Sequence, residues 1–284
     1  MESSSSSSTG GVLITGASTG IGEATALRLH KAGFRVFAGV RKPEDGERLR
    51  AAGVTVVQPL DVTKAEDIAA AVQTVEGALG GSPLRGIVNN AGIGIGGPLE
   101  ALDLDDFRRT VEVNTTGQLA VTKAFLPLLR RSRGRIVNMS SIGGRVAQPF
   151  AGPYIVSKFA LEAVTDVLRV ELLEWDIDVI AIEPGTIATP IWEKSSREAE
   201  DVLAKLTPEQ RDLYGKRLAK MTKVLERQTK RGAAPEKVAE AVEKALTARR
   251  PKPRYLVGDA HVLINLKRLL PTRWFDRLLY RMTS

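Results

Sequence analysis

Tyr154 and Lys158 stand four residues apart in the run Tyr-Ile-Val-Ser-Lys, a spacing that projects both from one face of a helix. A free tyrosine gives up its proton near pH ~10, and each unit of depression takes about 1.36 kcal/mol of preferential stabilisation of the phenolate. A lysine ammonium one turn away stabilises a phenolate in this way, which makes Tyr154 a candidate acid/base near neutral pH. Ser141 follows an apolar run, Arg135–Met139, that reads as a strand. Open α/β sheets put their ligand-binding loops at such strand ends, so the Ser141 hydroxyl is placed to hold a substrate oxygen. On its own, Tyr-x-x-x-Lys equally describes an amphipathic helix with an interfacial lysine; the rest of the chain must decide.

A second group of residues lies near the start. Directly after the apolar run Val12–Thr15 comes Gly16-Ala17-Ser18-Thr19-Gly20-Ile21-Gly22, followed by a helical pattern. Glycines here allow a tight turn and close backbone approach, so that a pyrophosphate can rest on the free N–H groups of a helix N-terminus. The same stretch matches G-x-S-x-G, the nucleophile elbow of α/β-hydrolases, with Ser18 as nucleophile. That rival needs a downstream histidine, and of the two in the chain only His261 lies beyond the sheet. A nucleotide site that takes NAD presents an acid to the ribose 2′-OH after the second strand, whereas a 2′-phosphate prefers arginine. The chain offers Val40-Arg41-Lys42 there, with no acid before Glu44. NADP(H) is therefore expected over NAD(H), with Arg41 on the 2′-phosphate and Ser18 as a second contact.

These residues need a scaffold, and the pattern supplies one. Short β-branched runs at Arg35–Val40, Val54–Gln58, Gly86–Asn89, Arg135–Met139 and Ile177–Ile182, with a last one at Arg254–Val257, alternate with amphipathic stretches of helical length. Strands apolar on both faces argue a parallel sheet covered by helices on each side, a doubly wound α/β fold. The first helix should begin near Ile21 and end before Gly33, another at Pro43, and another, starting near Tyr154, should run through Glu174. Thr207-Pro208-Glu209-Gln210 combines an N-cap, a first-turn proline and a Gln at N3, so a helix starts there too.

The 284 residues are 43% hydrophobic and 26% charged, enough to bury a sizeable core in one large domain. We place that domain at residues 11–257, with a substrate-binding insertion at 186–234, a serine-rich disordered leader at 1–10 and a basic amphipathic tail at 258–284. The absence of cysteine excludes disulfides, thiolate metal sites and cysteine nucleophiles, fits a reducing cytoplasmic setting and, with only two histidines, leads us to expect no metal. Of the formal charge of +8, most sits at the end, where nine basic residues follow Ala248 against Asp259 and Asp276. A basic tail on a near-neutral body gives no reason to expect nucleic acid. No apolar run approaches the ~18–20 residues needed to span a bilayer. The tail itself, Val262–Leu270 and Trp274–Tyr280 with Lys267, Arg268, Arg273, Arg277 and Arg281 interleaved, suits either packing over the substrate pocket or transient contact with a membrane surface; we expect the packed arrangement.

Read together and in order, Thr15-Gly-x-x-x-Gly-Ile-Gly22, Asn89-Asn90-Ala91-Gly92, Asn114, Ser141, Tyr154-x-x-x-Lys158 and Pro184-Gly185 with Thr189 resemble the short-chain dehydrogenase/reductase family, over about Gly11 to Thr189. The resemblance implies an NAD(P)-dependent oxidoreductase of alcohols and carbonyls. Tyr154 would be the acid/base, Ser141 would hold the carbonyl, and Lys158 would bind the nicotinamide ribose and, with the cationic ring, lower the tyrosine pKa. Asn114 would hold a proton-relaying water. Asn89, Ala91 and Gly92 would line the cofactor, Asp61 would contact the adenine, and Pro184, Gly185 and Thr189 would fix the nicotinamide amide. Glu183 departs from the pattern, since many members carry a polar or basic residue there. The segment around Arg135–Ser141 and the extended end are most similar to the hydroxysteroid and retinol dehydrogenase branch. Phe150, Ile187, Ile191, Trp192 and Tyr214 would wall a pocket for a bulky apolar alcohol or ketone, such as a steroid, retinoid or long-chain carbonyl compound, and a homodimer or homotetramer is expected. A cofactor-binding regulator without turnover is the other alternative.

Overall fold

The computed structural model describes residues 10–189 and 206–283 together with Val202 and Ala204. Most of the expected leader, and Ile191 and Trp192 of the expected pocket wall, lie outside the described residues. Seven strands, β1 (Gly11–Ile14), β2 (Arg35–Gly39), β3 (Thr55–Val57), β4 (Leu84–Asn89), β5 (Arg135–Met139), β6 (Val179–Pro184) and β7 (Arg254–Val257), pair in parallel in the order β3-β2-β1-β4-β5-β6-β7. Strand side chains alternate between two cores, as a period of two demands. Val12 and Ile14, Val36 and Ala38, Ile180 and Ile182 face one core, while Leu13, Phe37, Ile87 and Ile136 face the other.

The first core is closed by α1 (Gly20–Lys31) and α8 (Pro235–Thr247), through Ala26, Leu29, Val238 and Val242. The second is closed by α3 (Ala65–Leu79), α5 (Gly117–Ser132) and α6 (Gly152–Glu171), through Ile68, Val75, Phe125 and Leu168. Short α2 (Glu47–Ala51) follows β2, and α4 (Leu104–Val111) runs into α5 through one wider helical turn at Glu112–Thr116. β1 has β2 on one side and β4 on the other, so successive crossovers leave it in opposite directions and a crevice opens at the carboxyl ends of the strands.

Several boundaries depart from expectation, β4 among them, which begins at Leu84 rather than Gly86. The sixth strand begins at Val179 rather than Ile177 and continues through Glu183 and Pro184, because those residues pair with Leu256 and Val257 of β7. A fully buried glutamate in a strand is what an apolar-run criterion misses. The helix that carries Tyr154 stops at Glu171 instead of Glu174.

α7 (Pro208–Arg231) starts with the reciprocal cap expected at Thr207: its N–H donates to Gln210 Oε1 at 3.1 Å and its hydroxyl accepts from the Gln210 N–H at 3.2 Å. The tail forms two helices, α9 (Ala260–Leu269) and α10 (Thr272–Thr283). Lys267 Nζ donates to the Arg145 carbonyl at 2.6 Å and lies 5.3 Å from the centre of the Phe159 ring. Phe275 is buried, and the Arg217 guanidinium stands between the rings of Phe150 and Tyr280. The tail thus packs on the body, yet Leu269 (77% exposed) and Trp274 (64%) remain in solvent. No helix among the described residues is long and apolar enough to cross a membrane.

Candidate active site

A cleft of about 710 Å³ runs along the carboxyl ends of the strands. Its first end is made by the turn from β1 into α1. Gly16 takes a φ of +63°, the left-handed region in which a side chain is strained. A Cβ on Gly22 would lie 2.3 Å from the Gly16 carbonyl oxygen, so only glycine lets the helix start this close to the strand. Thr19 at the N-cap of α1 makes no side-chain cap, and the first residues of the helix, Gly20, Ile21 and Gly22, line the cleft beside Ser18 and Thr19. Uncapped N–H groups at a helix N-terminus form an anion site.

The turn is tied to the end of β4. The Thr15 hydroxyl accepts from the Asn90 and Ala91 N–H groups, each at 3.0 Å, and the Asn90 amide donates to the Thr15 and Gly16 carbonyls at 3.0 and 2.9 Å. The Gln118 amide donates to the Ala91 carbonyl from beneath. Ala91 and Gly92 thereby line the middle of the cleft. Asn89 does not: it is buried, and its amide donates to Thr122 and Asn138, both at 2.8 Å, crosslinking α5, β4 and β5.

Arg41 and Asp61 both line the cleft, close enough for the guanidinium to act on the carboxylate. Burial pushes the Asp61 carboxyl up, but it accepts from the Thr63 N–H (3.0 Å) and hydroxyl (2.7 Å). With Arg41 and Lys64 nearby, the net effect holds it below the usual carboxylate range.

Ser141, Tyr154 and Lys158 line the same cleft, as do Pro184, Gly185 and Thr189. Ser141 follows β5, where its Oγ accepts from the Gly143 N–H at 3.0 Å. Tyr154 and Lys158 project from the first turns of α6, with the ammonium 5.6 Å from the centre of the tyrosine ring and donating to the Met139 carbonyl at 2.8 Å. Burial lowers Lys158 from 10.5 to about 8, against the opposing pull of Glu162. Burial pushes the Tyr154 phenol above its ordinary value, and a hydrogen bond with Ser141 only partly offsets this. The expected lowering relied on the cationic nicotinamide as well as on Lys158, and burial is the effect that this pair must overcome. The ammonium sits by the ring and is desolvated, so the protein's own groups do not bring the phenol into the neutral range.

Asn114 is fully buried and outside the cleft lining. Its Oδ1 accepts from the Ile93 N–H, and its Nδ2 donates to the Ile93 carbonyl, both at 2.8 Å, and to Ser157 Oγ at 2.9 Å. The wider helical turn at Glu112–Thr116 presents it there, a feature frequent at functional sites. Ser157, between Tyr154 and Lys158, also receives the Thr115 hydroxyl on its carbonyl at 2.8 Å. The side-chain amide of Asn114 thus ties the cleft wall at Ile93 to α6.

Several residues escaped sequence reading. Asp259 accepts from the Thr186 N–H at 2.8 Å and the Thr186 hydroxyl at 3.2 Å, pinning the loop after Pro184; nothing local marks a lone aspartate in a basic tail for this task. Gln118 and Ser157 carry no signal beyond lying near Asn114 and Lys158 in sequence. Ser18 makes no hydrogen bond to a histidine among the described residues, and His261 lies exposed on the first turn of α9, so the hydrolase arrangement is not formed.

Comparison with known proteins agrees with this geometry. Residues 11–200 match the family model described as short chain dehydrogenase. Mouse (Mus musculus) retinol dehydrogenase 5 is 39% identical over 277 residues, covering 94% of this chain and 87% of the relative. The NADPH-dependent 3-dehydrocapnine reductase of Ornithobacterium rhinotracheale is 32% identical, covering 95% of each. Among solved structures, a short-chain dehydrogenase from Streptomyces avermitilis superposes with a TM-score of 0.75 at 26% identity, covering 98% of this chain and 96% of that one. The glycine turn, the Ser141–Tyr154–Lys158 wall and relatives spanning nearly the whole chain lead to one conclusion: it belongs to the short-chain dehydrogenase/reductase family, near the retinol dehydrogenases, and is an NAD(P)-dependent oxidoreductase acting on CH–OH groups.

Proposed function

We propose that the chain is an NADP(H)-dependent dehydrogenase/reductase for a bulky apolar secondary alcohol, ketone or aldehyde, of the steroid, retinoid or long-chain carbonyl class. The observation that carries this reading is the convergence of Ser141, Tyr154 and Lys158 on one wall of a cleft whose far end combines an uncapped helix N-terminus with Arg41. Those residues fit a dinucleotide. Gly16, Ser18, Thr19, Gly20, Ile21 and Gly22 would hold the pyrophosphate, Arg41 and Ser18 the 2′-phosphate, and Asp61 the adenine. Ala91 and Gly92 would line the middle, with Asn89 acting from behind as a brace, and Pro184, Gly185 and Thr189 would hold the nicotinamide. When bound, that ring supplies or accepts the hydride.

The chain's own residues handle the oxygen and the proton. Ser141 donates to the substrate oxygen, and Tyr154 takes the proton from an alcohol or gives one to a carbonyl. The Lys158 charge stabilises the phenolate and the cofactor's positive ring adds to it, which is how a phenol raised by burial is brought down. Asn114 positions α6 and the wall at Ile93. The substrate class is supported by the similarity to a retinol dehydrogenase and by Ile187 in the cleft lining. Phe150 and Tyr214 meet edge-on with ring centres 6.5 Å apart, and we assign them to the shell around the substrate. NADPH use is supported by Arg41 and by the named cofactor of the dehydrocapnine reductase.

A cytoplasmic homodimer or homotetramer is proposed. The stripe Val156, Phe159, Val167 and Val170, exposed along α6, offers its surface. Leu269 and Trp274, exposed beside Arg268, Arg273 and Arg277, suit transient contact with an anionic membrane, where each basic residue adds about 1 kcal/mol. Turnover followed at 340 nm with NADPH against a panel of carbonyl compounds tests the reading. Retinal, ketosteroids or long-chain aldehydes should outperform small hydrophilic sugars and acids, and the reverse order would overturn the substrate class.

A further inference from the structure

Glu162 and Glu183 form a buried carboxylate pair directly behind the catalytic wall. Glu162 lies one turn beyond Lys158 on α6 and is 6% exposed; Glu183 on β6 is 0% exposed. Arg254 of β7 joins them, its Nε standing 3.2 Å from Glu162 Oε2 and 3.0 Å from Glu183 Oε1. Arg145, from the loop after Ser141, reaches the same Glu183 oxygen at 3.1 Å. Among the described residues the other oxygen of each carboxylate has no hydrogen-bond partner, nor has the buried hydroxyl of Ser140 next to Ser141. A Cβ on Gly144 would lie 2.9 Å from both Glu162 Cγ and Ser140 Oγ and 3.0 Å from the Lys158 carbonyl oxygen, so the loop, the carboxylate and the lysine turn are packed together.

A desolvated ammonium needs a counter-charge, and among the described residues the direct hydrogen bond of Lys158 goes to the neutral Met139 carbonyl. We propose that Glu162 is the internal counter-charge that keeps Lys158 protonated, and that Arg145 and Arg254 hold it in that role by neutralising the neighbouring carboxylate of Glu183. The remaining charged groups around the cluster are Asp166 and Arg169 on α6, with Asp166 hydrogen-bonded to both Arg169 and Arg254, and Lys267 on α9, which is hydrogen-bonded to the Arg145 carbonyl. Glu162 is the acid that opposes the desolvation of Lys158, and burial together with Glu162 pushes Glu183 up while both guanidiniums pull it down. This explains the departure at Glu183: an acid there, clamped by two arginines, fixes the strand leading into Pro184 and Gly185 to the helix carrying Lys158. Glu162 is a positioning residue, and the proposal rests on the reading of Tyr154 and Lys158 as the proton-handling pair.

The test uses the full-length protein with isotope-labelled lysine, with Lys158 identified by the signal lost in Lys158→Arg and titrated by NMR. In Glu162→Gln, Lys158 should titrate about one unit or more below the parent, a tenfold or greater loss of protonated lysine in the titrating range. The rise of alcohol oxidation with pH that follows Tyr154 deprotonation should move to higher pH, because less ammonium charge stabilises the phenolate, with the KM for NADP⁺ changed less than about twofold and the parent profile partly restored by Glu162→Asp. An unchanged Lys158 titration overturns the proposal. If Glu162→Gln does not fold, Glu162→Asp, which withdraws the charge by one methylene, must still titrate below the parent. A shifted Lys158 with an unmoved rate profile leaves the counter-charge standing and removes instead the role of Lys158 in proton transfer.

Discussion

Lys158 is tethered to the Met139 carbonyl at 2.8 Å with its ammonium 5.6 Å from the centre of the Tyr154 ring, so the catalytic helix is tied through its own charge to the strand that presents Ser141. The tether has a thermodynamic cost. The fall of Lys158 from 10.5 to about 8, at about 1.36 kcal/mol per unit, disfavours the folded state by about 3 kcal/mol. Because the folded value is the lower one, this penalty is fully present below about 8 and disappears as the pH rises to 10.5. Compared with Lys158→Met, the parent should therefore gain up to about 3 kcal/mol between pH 7 and pH 10.5, measured by urea unfolding at the two pH values. A constant difference would mean that the ammonium is not desolvated.

Arg41→Asp should exchange cofactor preference. It removes the guanidinium from the cleft rim and offers a carboxylate to a ribose hydroxyl. Loss of charge-assisted contacts to a phosphate is worth about 1.5–3 kcal/mol, so NADPH affinity should fall about ten- to a hundredfold while NADH binding improves. A variant that still prefers NADPH would locate the phosphate contact elsewhere.

In Gly22→Ala, the new methyl would meet the Gly16 carbonyl oxygen at 2.3 Å and the Asn90 amide at 2.5 Å. Both belong to a hydrogen-bonded junction that cannot retreat without breaking the tie between β1 and β4. Thermal unfolding should show a loss of about 1–3 kcal/mol, with NADPH binding weakened at least tenfold; a fully stable variant with normal binding would contradict the junction described.

Asp259→Ala should loosen the loop that follows Pro184 by freeing the Thr186 N–H and hydroxyl. Since Asp259 is exposed, stability should change little. Steady-state kinetics should show the KM for NADP(H) rising about five- to tenfold, an unaltered value telling against a positioning role.

Local chemistry made much of this legible in sequence. The β-branched runs gave away the sheet because both faces of each strand are buried, and the glycine turn and Tyr154-x-x-x-Lys158 follow from local backbone geometry. What escaped was long-range. Glu183 looked anomalous because its partners, Arg145 and Arg254, come from a loop and a strand 38 residues before it and 71 after it in the numbering. Asp259 is distant from Thr186 in the same way. The burial that raises the Tyr154 phenol was not legible, because i,i+4 spacing tells that two side chains are neighbours, not how deeply water is excluded from both.

The assignment of Tyr154 as the acid/base is tested most directly by Tyr154→Phe, which deletes the hydroxyl and little volume. NADPH binding, followed by cofactor fluorescence, should stay within about twofold of the parent. Turnover of the best carbonyl substrate at 340 nm should fall by at least the ~10²–10⁴-fold that general acid–base catalysis contributes. Turnover within tenfold of the parent, with binding intact, would contradict it.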